Sequence, residues 1–127
     1  MKRQGFTLIE LILTIVVVSI CAIPLSLLVS QHVTSLFQSQ DYTMAVNLAR
    51  FEMEKVNNMS YANIVSGSFL NYRGYPYDVT RTVSYAQGNG STAESLKKIQ
   101  VDVKKAGSST VLVTFLTYIV RNIIYGV

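Results

Sequence analysis

The reading of the chain turns on residues 5–30, GFTLIELILTIVVVSICAIPLSLLVS. From Phe6 to Val29 there is one charged residue, Glu10. At about 1.5 Å of rise per residue, a helix of this length crosses a hydrocarbon core of roughly 30 Å. A core helix of a small soluble domain would keep a polar face, and this run has none. Lys2 and Arg3 precede it, and the next Lys or Arg is Arg50. That asymmetry predicts a single pass with a cytoplasmic N-terminus and the remainder outside. A secretory signal peptide has a shorter apolar core, about 7–15 residues, ending at a small-x-small site. No A-x-A pattern follows here, and Ile20 stands before Cys21 where a lipoprotein signal needs a small residue. Cys21 reads as a small buried hydrophobe. Pro24 removes one helical hydrogen bond, which predicts a kink at that point.

Glu10 is the anomaly. A carboxylate at the centre of a membrane helix costs about 2.5–3.5 kcal/mol on insertion scales. Glu10 lies about one turn into the run, so reaching back to the headgroups is one way to relieve it. Its setting gives another. KRQGFTLIEL resembles the processing site of type IV prepilins and type II secretion pseudopilins: a short basic leader, Gly5, Phe6, Thr7, Leu8 and Glu10 at the family spacing, then the apolar helix. The resemblance implies that a membrane prepilin peptidase cuts after Gly5 and N-methylates Phe6. It also implies that Glu10 pairs with the Phe6 amine of a neighbouring subunit during assembly on an inner-membrane platform.

The chain has 127 residues, 14% of them charged, with a formal net charge of +4. Beyond the apolar run, fewer than 100 residues remain for a water-exposed core, enough for one small module. Residues 30–60 contain neither Pro nor Gly. Ala45, Leu48, Ala49, Val56 and Met59 recur at i, i+3, i+4 spacing with Glu52 on their side, so one helix is expected over residues 6–59. AVNLARFEMEKVNNMSY is similar to the second half of this helix in minor pilins. Gly67 and NYRGYPYD mark turns. From Asp78 to Tyr85, Val79, Arg81, Val83 and Tyr85 share one strand face. Ile99, Val101 and Val103 alternate with Lys98, Gln100, Asp102 and Lys104 as a half-buried strand. Residues 87–95 read as a loop. Val111–Val120 is apolar on both faces, which predicts the central strand of an antiparallel sheet. The C-terminal IIYGV is apolar enough to dock on the sheet or on a neighbour.

The expected architecture is α+β and pilin-like. It comprises a leader (1–5), a membrane half of the helix (6–29), an amphipathic half (30–60) and a small antiparallel sheet domain (61–127). Enzymatic readings do poorly. His32 is the single histidine, the acids are scattered, and no metal-ligand spacing, nucleophile elbow or phosphate loop is present. No cofactor or metal is expected. The small sheet, with no disulfide and no calcium-type acidic cluster, points to a minor subunit. The rival class is a membrane-anchored binding module for adhesion or DNA uptake. Its nucleic-acid contacts would be Lys97, Lys98, Lys104 and Lys105, with Tyr72, Tyr75 and Tyr77 near Arg73.

Overall fold

The structure is a computed structural model that describes residues 5–91 and 95–121. Helix α1 runs Leu8–Asn57, and strands β1 (Gly67–Phe69), β2 (Tyr77–Gln87), β3 (Leu96–Lys105) and β4 (Val111–Val120) follow. All three strand pairings are antiparallel, in the order β1-β2-β3-β4. The chain divides into two compact units, Met1–Ser39 and Gln40–Val127.

In the second unit the helix packs on one face of the sheet. Ala45, Leu48, Ala49, Glu52 and Val56 are the buried helix positions, the stripe expected from their spacing. Opposite them, β3 buries alternate residues, Lys97, Ile99, Val101 and Val103. Register extends these rows across the sheet: Val79 pairs with Val103 and Val103 with Val113, while Arg81 pairs with Val101 and Val101 with Phe115. The β3–β4 hairpin turns at residues 105–108, where Ser108 N–H donates to the Lys105 carbonyl at 2.9 Å. Gly107 takes φ +78° there, a conformation that a side chain would strain.

Two expectations are corrected. Val111–Val120 forms a strand with the anticipated limits, but among the described strands it lies at the sheet edge, not in the centre. Its inward residues Val113, Phe115 and Ile119 meet the core, while Leu116, Tyr118 and Val120 are exposed on the outer face. An apolar strand run is compatible with a core on either face, so composition alone did not fix its neighbours. The turn region after the helix also contains β1, three residues long, paired through Gly67–Arg81, Ser68–Thr80 and Phe69–Val79.

A buried ion pair crosses the core. Arg81 Nη1 donates to Glu52 Oε1 at 2.6 Å, with the two side chains 5% and 0% exposed. Arg81 Nε donates to the Val65 carbonyl at 2.8 Å, and the Tyr72 hydroxyl donates to Glu52 Oε2. Burial, then the bond to Glu52, pushes the Tyr72 phenol well above its ordinary range, which keeps it a proton donor. Helix α1, β2, the segment after the helix and the loop before β2 therefore meet at one carboxylate and one guanidinium.

Arg81→Ala should destabilise the domain by about 3–5 kcal/mol, because Glu52 is left buried and unpaired. The double variant Glu52→Leu/Arg81→Met should recover most of that loss. Denaturant midpoints of the full chain in detergent check both, and equal losses in the two would refute the account. Ile99→Ala should cost about 2–4 kcal/mol, whereas Leu116→Ala on the exposed face should change stability by about 0.5 kcal/mol or less. The same midpoints decide.

Candidate functional site

The N-terminal segment carries the candidate site. Thr7 starts the helix: its carbonyl accepts from Glu10 N–H at 3.1 Å and Leu11 N–H at 3.2 Å. Glu10 therefore sits in the first helical turn, where the positive end of the helix dipole favours a carboxylate. Gly5, Phe6, Thr7 and Glu10 line one shallow concavity. A Cβ added at Gly5 would meet nothing within 4 Å. Nothing in the described chain itself demands glycine there. Phe6 is 77% exposed. Lys2 and Arg3 lie outside the described residues.

The helix that follows is long and apolar enough to cross a membrane, and none of its apolar window is buried in the fold. Its few hydroxyls are matched to that setting. Thr14 donates to the Leu11 carbonyl, Ser19 to Ile15, Ser26 to Ile23 and Thr34 to Ser30, at 2.7–3.1 Å. These four hydroxyl hydrogens are satisfied inside the helix, the kind of bond that lets a hydroxyl sit in an apolar segment. Pro24 sits inside the continuous helix and contributes no N–H to it. Cys21 is a free, exposed thiol on the same segment.

The four lysines of the binding-module reading do not share one face. Lys97 points inward and is 5% exposed; its ammonium donates to the Tyr61 and Ile64 carbonyls at 2.7 and 2.8 Å and lies 4.5 Å from the Tyr61 ring centroid. Burial lowers its pKa. Lys98 and Lys104 lie on the opposite face of β3, beside Gln100 and Asp102. Lys105 pairs with Asp41 at 2.9 Å. Of the tyrosines near Arg73, Tyr72 and Tyr77 are buried and hydrogen-bonded to Glu52 and Asp41, while Tyr75 is exposed. Arg73 itself stacks on Phe51, 3.8 Å from its centroid.

Sequence reasoning placed Glu52 on the apolar face of the helix and Arg81 on the apolar face of its strand, but did not pair them. Two opposite charges on two inward faces are the signal that could have done so. Strand parity likewise assigns Lys97 to the face of Ile99 and away from Lys98.

No curated protein and no solved structure matches the chain. Residues 1–26 match the family model of the prokaryotic N-terminal methylation motif. Residues 1–26 thus carry the N-terminal methylation signature of type IV pilins and pseudopilins, at the head of a long helix whose second half packs on a four-stranded antiparallel sheet, an α+β, pilin-like arrangement.

Proposed function

We propose that the protein is a structural, non-enzymatic subunit of a type IV pilus-like or type II secretion filament, and a minor one. It is held in the bacterial cytoplasmic membrane by residues 6–29, with its N-terminus in the cytoplasm and its sheet domain outside. A prepilin peptidase removes residues 1–5 and methylates the new amine of Phe6. The methylation motif over residues 1–26 carries this reading. The open space around Gly5 among the described residues supports it, because a peptidase needs access to that peptide bond.

Assembly follows from charge. Cleavage creates a Phe6 ammonium at the head of the helix that carries the Glu10 carboxylate, and each costs several kcal/mol if buried alone. Each subunit brings one cation and one anion. Side-by-side docking of helices at one axial stagger pairs the cation of one with the anion of the next, and other staggers leave both bare. The pair contributes register more than net stability.

The peptidase reading is tested by intact-mass and N-terminal peptide mass spectrometry of the membrane fraction, with and without a co-expressed prepilin peptidase. A peptidase-dependent start at N-methylated Phe6 is expected; a start at Met1 in both samples would sink it. Gly5→Ala should retain processing in part and Gly5→Glu should abolish it, read as the fraction of cleaved chain. Glu10→Val should be cleaved and inserted normally but enter filaments poorly, measured by the share of subunit in sheared filament fractions. Normal incorporation would refute the pairing.

A further inference from the structure

The connection between β2 and β3 carries Gly88, Asn89, Gly90 and Ser91, a stretch that neither the core nor the N-terminal site uses. Asn89 is exposed. Its side-chain carbonyl is engaged: Ser91 N–H donates to Asn89 Oδ1 at 3.1 Å. That bond closes a ring running from Oδ1 through Cγ, Cβ and Cα, along the Gly90 backbone, to the Ser91 nitrogen. Ring closure folds the side chain over the peptide that follows it. It brings Cγ towards the Gly90 nitrogen, a member of the same ring. The Gly90 N–H has no acceptor among the described residues.

The fold also decides that residue 90 is glycine. Its φ is +83°, and a Cβ built there would run into the Tyr85 hydroxyl. A side chain at 90 would crowd its own backbone nitrogen; glycine leaves that nitrogen open. Arg121, just past β4, holds the connection at two points. Its Nη1 donates to the Gly90 carbonyl at 2.6 Å and its N–H to the Ser95 carbonyl at 3.0 Å.

We propose that Asn89 is a self-modification site, at which the Gly90 nitrogen displaces the side-chain amide of Asn89. Hydroxide takes the Gly90 N–H proton and becomes water. The nitrogen bonds to Asn89 Cγ, the Cγ–Nδ2 bond breaks, and Nδ2 leaves as ammonia with a proton from water, which restores the hydroxide. Water then opens the resulting five-membered succinimide at either carbonyl. One opening gives aspartate at position 89. The other gives isoaspartate, with the main chain passing through the former side chain. Nothing is oxidised or reduced, and water is the single co-reactant. The Ser91 N–H polarises Cγ and then stabilises the negative charge that develops on Oδ1 as Cγ becomes tetrahedral. The closed ring supplies proximity.

Either product alters the connection. The new carboxylate, with an ordinary pKa of about 3.9, is ionised at neutral pH. It lowers the formal net charge of +4 by one. The isoaspartyl form also inserts a methylene into the main chain, next to the residue whose carbonyl Arg121 grips.

The full chain in detergent micelles, incubated at mildly alkaline pH in heavy-oxygen water, tests this. Tryptic digestion in ordinary water then yields residues 82–97, in which Asn89 is the single asparagine. The heavy oxygen marks conversion during the incubation alone. Label should enter this peptide at least as fast as in the chain unfolded in urea, and more than tenfold faster than it enters peptides holding Asn47, Asn63 or Asn71. Ser91→Pro, which deletes the N–H donor, should slow the folded chain severalfold and leave the unfolded rate within twofold. Asn89→Gln should leave the peptide unlabelled, which assigns the label to position 89 and not to Gln87. A folded rate below the unfolded one, a folded Ser91→Pro chain as fast as its parent, or label that persists in Asn89→Gln would overturn the assignment.

Discussion

The sheet domain is organised around the need to bury Arg81 and Glu52 together. A guanidinium and a carboxylate inside an apolar core are tolerable only if each finds the other and their remaining hydrogen-bonding positions are filled. Here the filling comes from the Val65 carbonyl and the Tyr72 hydroxyl. The requirement propagates. A one-residue slip of β2 would turn Arg81 to the outer face and leave Glu52 bare. Displacing the helix by one turn would move Glu52 away from Arg81. The pair thus fixes strand register, helix position and the path of the segments before and after β1, although packing supplies most of the stability.

Around that pair the apolar contacts are ordinary and sufficient. Small residues on the helix, Ala45 and Ala49, let it approach the β-branched row Val79, Val101 and Val103 closely. Lys97 caps the far end of this layer in an instructive way. Its stem lies on the inward face, and its ammonium carries two backbone carbonyls of the segment that leaves the helix. The cost of burying a cation is offset by satisfying backbone acceptors that the exit from the helix would otherwise leave open.

What the sequence made legible follows the strength of each periodicity. The helix was expected over residues 6–59 and is found at Leu8–Asn57, because an apolar run and an i, i+3, i+4 stripe are both unambiguous. Strand β3 alternates strictly and was legible; β4 was legible in extent, from its β-branched and aromatic run. The place of β4 in the sheet was not. Period-2 patterning assigns faces but says nothing about which neighbour lies on either side, and an edge strand can carry apolar residues outward. The three-residue β1 is too short to show any period, and its Gly67 reads as a turn. The methylation motif was legible from Gly5, Phe6, Thr7, Leu8 and Glu10 because a signature of this kind is written in order along the chain. The Arg81–Glu52 contact, 29 residues apart, is written only in three dimensions.

The two acids Glu10 and Glu52 meet one physical problem in two ways. Glu52 lies in an apolar setting of the chain's own making, and the same chain supplies its counter-charge and its second hydrogen bond. Glu10 stands in an apolar helix whose surroundings the chain does not make, and it has no ion pair among the described residues. Thr14, Ser19 and Ser26 of that helix are satisfied by its own carbonyls; a carboxylate one turn from the helix start is offered N–H groups by the first turn but no cation among the described residues. A charge that the fold answers in cis specifies a domain. A charge that the described residues leave unanswered is, in the proposed reading, kept for a partner, and the apolar-segment cation that the proposed processing creates is the amine at Phe6.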